Sequence, residues 1–183
     1  MSERPALRSR IVPLTVVVAG CALVVFLILS AVGRMPGTPR ELFAEFCRRN
    51  ESGDLTGIWN LHVEEGQKTF RDTIDRMRTT YWRNRQHPEN RSMYAQYNVS
   101  EQEFYTLDAS QIFVREMSKP EQRGWTVGAK VLDVGPYPDG NGDMAVTWEA
   151  ADGRLFMLRC RDTGRGFGIV GQHPMGRLDG DLR

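Results

Sequence analysis

His62, Glu64 and Glu65, in the stretch "HVEEG", put one imidazole and two carboxylates within four residues, the side chains that general acid–base catalysis uses. The same stretch also reads as a solvated loop, and no partner group stands at motif spacing to complete a catalytic site. The three histidines, His62, His87 and His173, are not spaced as zinc ligands, and there is no Gly-x-Ser-x-Gly elbow. "GFGIVG" at 166–171 has the letters of a dinucleotide fingerprint. That fingerprint needs a following helix and an acidic residue about twenty positions on, whereas twelve residues follow, Pro174 among them. A glycine-bearing strand is the expectation. "DGNGD" at 139–143 opens like a calcium loop, but Met144 stands where the loop needs glycine and Ala150 where it needs a bidentate glutamate. A hairpin turn is expected there, and no cofactor or metal is expected in the chain.

Two further groups of residues bear on partners. Lys68, Arg71, Arg76, Arg78, Arg83 and Arg85 crowd one stretch, opposed by Asp72 and Asp75. This is either the solvated face of a helix or a surface for anionic lipid or an acidic partner, with Arg71, Arg78 and Arg85 as candidate contacts. Cys47 and Cys160 both fall on apolar faces, so in an oxidising compartment they form a possible disulfide, and two buried free thiols explain them equally well. Sequons at Asn50, Asn90 and Asn98 would matter only in a eukaryotic secretory pathway.

The elements that must position these residues follow from period and punctuation. Thr38-Pro39-Arg40-Glu41 is a capping box with proline at the first helical position, and Leu42, Phe43, Phe46 and Cys47 line one face behind it. Gly53-Asp54 ends that helix and starts a short one carrying Leu55, Ile58, Trp59 and Leu61. After Gly66, Phe70, Ile74, Met77 and Tyr81 recur at helical spacing, stopping before His87-Pro88. "SMYAQY" at 92–97 reads as a short strand. Ser100 to Glu103 is another capping box, and Ile112, Phe113 and Met117 continue a helical face to Lys119-Pro120.

The period then changes. Trp125, Val127, Ala129 and Val131 alternate, turn residues follow, and Met144, Val146 and Trp148 alternate again before Asp152-Gly153. "RLFMLRC", "DTGRG" and "FGIV" complete a four-strand meander. Helices first and an antiparallel sheet second make an α+β domain over 39–171, with a flexible tail at 172–183. Its 149 residues from Met35 onward carry 20 basic and 22 acidic side chains, a balance that gives no case for nucleic acid as a partner.

Ahead of this domain, Ile11 to Gly33 is a run of 23 residues without a charge, roughly 34 Å as a helix and long enough to span a bilayer. Val18-Ala19-Gly20-Cys21 inside it looks like a lipobox, but "ALVVFLILS" after Cys21 is more apolar than what precedes it, so an uncut single-pass anchor is the better reading. Arg4, Arg8 and Arg10 in the tail 1–10 favour a cytoplasmic N-terminus and an extracytoplasmic domain, joined to the span by the linker 34–38. The expected location is therefore the cell membrane, with the lipid bilayer as partner through residues 11–33.

"ELFAEFCRRNESGDLTGIWNLH" at 41–62 looks like the first two helices of nuclear transport factor 2-like, or SnoaL-like, cone-fold domains, where a Gly-Asp precedes an aromatic-bearing second helix. The order of elements over most of 39–171 resembles that fold. The chain departs from the enzymes of that superfamily in offering no recognisable acid–base pair. Two functions follow as expectations. The first is a membrane-tethered, non-catalytic scaffold or interaction module, binding itself or another membrane protein, as the resemblance to type IV secretion scaffold subunits implies. The alternative is a small-molecule-binding or enzymatic domain using the concave face of the sheet as a pocket.

Overall fold

The structure, a computed structural model, describes residues 35–83, 90–139 and 141–177. The tail 1–10, the apolar run 11–33 with Cys21, and Arg85 and His87 lie outside the described residues. Among the described residues no helix is long and apolar enough to cross a membrane.

Helix α1 (Pro39–Ser52) starts as its capping signal requires: the Thr38 hydroxyl accepts from Glu41 N at 3.2 Å. The Glu41 carboxylate closes the box one residue early, on Gly37 N at 2.8 Å. Gly53, at φ +76°, ends the helix in the left-handed conformation, and Asp54 immediately caps α2 (Leu55–Leu61) through Gly57 N. The long α3 (Glu64–Arg83) begins two residues before Gly66, so Glu64 and Glu65 are its acidic first turn and not a loop.

Three expectations are corrected in the middle of the chain. "SMYAQY" is not a strand but falls largely in helix α4 (Asn90–Gln96), because its buried residues are Met93, Tyr94 and Tyr97, at i, i+1 and i+4. The helical face up to Lys119 is two helices, α5 (Glu101–Thr106) and α6 (Ala109–Met117), since Asp108 makes a second complete capping box with Gln111. The alternation from Trp125 to Val131 does not start a strand. A short α7 (Pro120–Arg123) leads into turns up to Gly128, whose φ of +67° breaks the extended backbone, and Thr126 is buried against the Asn50 amide at 2.7 Å.

The sheet is an antiparallel meander, β1 (Lys130–Pro136), β2 (Met144–Glu149), β3 (Arg154–Asp162) and β4 (Phe167–Arg177), in the order β1-β2-β3-β4. The fold is α+β, as the sequence indicates. The tail expected from 172 is instead ordered strand to Arg177, with Gln172 opposite Leu158 and Pro174 opposite Phe156. Proline is tolerated because β4 is an edge strand, and an edge position needs no N–H for a further neighbour.

Two apolar clusters hold the layers. Leu42, Phe43, Phe46, Ile58, Val146, Trp148, Phe156, Leu158 and Ile169 join α1 and α2 to the sheet. Ile74, Met93, Tyr94, Tyr97, Phe104 and Ile112 join α3 to α4, α5 and α6. Phe70 touches both clusters. At the crossing of α3 and β4, a Cβ on Gly66 would lie 2.8 Å from Val170 O and 2.9 Å from Ile169 O, closer than side-chain carbon can approach. Glycine there lets the first turn of α3 rest on the backbone of β4.

Candidate functional site

Where α3 leans over β4 and α6 closes the side, a cavity of about 610 Å³ remains. Trp59, Phe70, Tyr97, Phe113 and Met117 form its apolar walls. The rings pack on one another, with Trp59 to Phe113 at 5.3 Å and Phe70 to Phe113 at 5.6 Å, nearly perpendicular. These walls are set by the helical periods of α2, α3 and α6, which aim one stripe of each helix into the same space.

Polar groups enter from several directions. His62, the cap of α2, has its ring against Phe113 at 5.2 Å and its Nδ1 within 3.0 Å of Ile58 O. That contact assigns the proton to Nδ1, leaving Nε2 with its lone pair. Burial pushes the imidazole down to about 4, against the two backbone hydrogen bonds that favour its protonated form. His62 is neutral near pH 7. Glu116, on the cavity side of α6, is pushed up to about 7 by burial, with Lys119 opposing. Tyr97 is likewise raised to about 12 by burial, and its hydroxyl donates to Met77 Sδ at 3.4 Å.

Among the described residues, one buried side-chain atom on each of three lining residues has no hydrogen-bond partner: Gln122 Oε1, Trp125 Nε1 and Gln172 Nε2. They come from α7, the turn after it and β4, so they are separated in sequence and gathered only by the fold. A buried donor or acceptor left unmatched costs about 1–3 kcal/mol. All three are packed away from solvent and from the open space of the cavity, behind its wall and not on it.

The charged residues nearby are already committed. Glu65 accepts from Arg161, whose guanidinium also spans Asp143, with Nε to Oδ1 at 2.6 Å. Arg159 lines the cavity but gives Nε to Asp143 Oδ2 at 2.6 Å and Nη1 to Asp139 at 2.9 Å, under the Tyr137 ring at 4.5 Å. The carboxylates of "DGNGD" are thus turned onto arginines. Asp143 is 2 % exposed, and its hydrogen bonds from Arg161 and Arg159 hold its carboxyl below the usual range. Among the described residues no three His, Cys, Asp or Glu side chains converge as metal ligands.

Of the acid–base cluster expected from sequence, His62 faces the cavity, Glu65 lines it with its carboxylate taken by Arg161, and Glu64 is exposed. "GFGIVG" is the start of β4, as a glycine-bearing strand should be. The close packing it permits is seen at Gly166 (φ +129°), where a Cβ would meet Met35 O and Pro36 O at 2.7 Å. Of the three candidate contact arginines, Arg71 is exposed, whereas Arg78 is turned inward. Its Nε donates to Phe104 O at 2.8 Å and a second nitrogen to Leu107 O, so its guanidinium ties α3 to α5 and is not a free docking group. Cys47 and Cys160 are free thiols and not a disulfide. Both belong to the sheet-backed core, and burial pushes them up to about 12 and about 11, out of the reactive range.

Glu116, Gln122, Trp125 and Gln172 were not singled out by sequence. Glu116 left one trace: it sits between Phe113 and Met117 at helical spacing, on the side that faces inward. No protein-family model, no curated protein and no solved structure matches the chain.

Proposed function

We propose that residues 35–177 form a small-molecule-binding domain of the nuclear transport factor 2-like cone type, carried behind a single membrane span at 11–33 with the N-terminus cytoplasmic. The observation that supports this reading over a scaffold is the aromatic-walled cavity of about 610 Å³, with His62, Glu116 and other polar side chains among its lining. That volume lies within the range of small-molecule sites, and its mix of apolar walls with a few aimed polar groups is their usual chemistry. The domain binds and retains its ligand; turnover would need a positioned acid and base, a role for which His62 and Glu116 of the lining are the candidates.

The test is a thermal-shift screen of the full-length chain, extracted from membranes, against small aromatic and alicyclic compounds. At least one compound raises the melting temperature of the native chain and fails to do so in Thr69→Trp, which puts an indole at an exposed position of the lining. If no compound shifts the native chain while crosslinking in membranes traps a protein neighbour, the scaffold reading replaces this one.

A further inference from the structure

We infer that the cavity takes an organic cation, an amine carried on an apolar body, and that the Glu116 carboxylate is its counter-ion. The inference rests on the binding function proposed above and names the class of its ligand.

The carboxylate comes first. Among the described residues Glu116 has no hydrogen bond and no ion pair, and its oxygens are not among the atoms closed off behind the cavity wall. Lys119, one turn further on, stands outside the lining and gives its Nζ to Gln96 O at 2.5 Å, with Glu121 at 3.9 Å. Its charge reaches Glu116 through space without pairing with it. The same cavity presents Trp59, Phe70, Tyr97 and Phe113. Aromatic rings take up an apolar body and also draw a cation to their faces, so a protonated amine is met here by both parts of the lining.

The charge on the sheet side has the same sign. Arg159 and Arg161 are ion-paired with Asp139, Asp143 and Glu65, two guanidinium groups against three carboxylates. An anion entering there meets arginines already taken and carboxylates that repel it. His173 belongs to the lining too, but it is exposed, with its ring 6.5 Å from that of Tyr137. Water and salt screen any charge at that edge more than they screen the partly buried Glu116. His62 is neutral near pH 7 and gives an anion nothing to pair with.

Proton linkage ties the carboxylate to the ligand. Burial raises the Glu116 carboxyl to about 7, Lys119 opposing, and the Glu116 charge in turn helps to raise Tyr97. The empty site is therefore divided between two protonation states near neutral pH. A cation binds the ionised state and expels the proton, so its affinity rises with pH up to about 7 and levels beyond. Tyr97, Lys119, His62, Glu65, Arg159 and His173 are the other ionisable groups of this lining or beside it, and the test must tell Glu116 from them.

A charge series on one aromatic body does so. 2-Naphthylmethylammonium, 2-naphthylmethanol and 2-naphthoate are titrated by calorimetry into the full-length chain in phosphatidylcholine nanodiscs, with empty discs and the Thr69→Trp variant as blanks. The ammonium compound binds at least about fivefold more tightly than either of the others, as a charge-assisted hydrogen bond exceeds a neutral one. Its affinity for the native chain rises about tenfold from about pH 6 to about pH 8. In Glu116→Gln the advantage over the alcohol and the rise with pH both fall below about threefold, while the alcohol still binds and shows the pocket intact. If the alcohol is lost as well, Glu116→Met is read in its place, and its loss in both makes Glu116 a structural residue and overturns the inference. A smaller advantage in the native chain, a flat pH profile there, or tightest binding of naphthoate overturns it and leaves the pocket standing. So does an advantage or a pH dependence that survives in the variant, since it then belongs to another group such as His173 or Glu65. If none of the three binds, a hit from the thermal-shift screen rejects the inference alone, and the absence of any hit rejects the binding function with it.

Discussion

Two polar groups sit at the junction of α3 with the sheet, and Arg159 belongs to both. In one, Asp143 is buried with each oxygen accepting from a guanidinium, and Arg161 carries the contact on to Glu65 in the first turn of α3. In the other, Gln122, Trp125 and Gln172 stand at the wall of a cavity, each with a buried atom that meets no hydrogen-bond partner among the described residues. The first is a closed account of hydrogen bonds and the second an open one. The difference is one of cost: matched charge fixes one element on another, whereas unmatched neutral polarity is a cost that the packing around it must carry.

The largest expected effect breaks the matched side. Asp143→Ala removes the buried carboxylate that two guanidinium groups share, leaving Arg159 to Asp139 and Arg161 to Glu65, and destabilises the domain by about 3 kcal/mol in urea unfolding of the purified chain. A loss under about 1 kcal/mol would mean the cluster is ornamental and the comparison empty.

A second effect, of roughly 1–3 kcal/mol, is read in the pH dependence of stability. Glu116 is raised in the folded protein to about 7 from its ordinary 4.5, so between those values the folded state binds more protons than the unfolded one. Its contribution is present at pH 4.5, is lost as pH rises to about 7, and is level beyond. Glu116→Gln removes that slope. Asp143 acts in the opposite sense: its folded carboxyl is lowered, so its stabilisation holds above the ordinary aspartate range and is lost on acidification below it. Unfolding curves of native chain and variant, measured from about pH 2 to 8, separate the two.

The smallest effect sharpens the contrast. Gln172→Leu removes an unmatched nitrogen and leaves β4 intact, so the ligand-free chain keeps its stability or gains up to about 1 kcal/mol. A loss greater than about 1 kcal/mol would show that Gln172 has a partner in the protein and belongs with the matched group.

Element types were legible where period and punctuation agreed. Thr38-Pro39, Ser100 and the alternation Met144–Val146–Trp148 each describe the residues that now stand there. The errors arose where a local pattern had two readings. Met93, Ala95 and Tyr97 alternate like a strand, and only the burial of Tyr94 beside Met93 makes the helix evident. Trp125 and Val127 alternate too, but the Asn50 amide, 76 residues earlier, reaches Thr126 and holds a turn between them. The site was less legible still. His62 was named for the wrong neighbours: its setting comes from Trp59 and Phe113, whereas Glu64 points away. Gln122, Trp125 and Gln172 carry no signal, since neutral residues acquire meaning only when the fold leaves them without partners.

The hydrogen bond from Phe167 N to Pro36 O, at 2.7 Å, has a mechanical consequence. Pro36 precedes α1 in the chain, so tension arriving through Met35 meets the sheet before it meets the helix. The tight seat of Gly166 against Met35 and Pro36 then works as a strain relief, passing load into β4 and along its nine registered pairs with β3. Helix α1 is spared the pull.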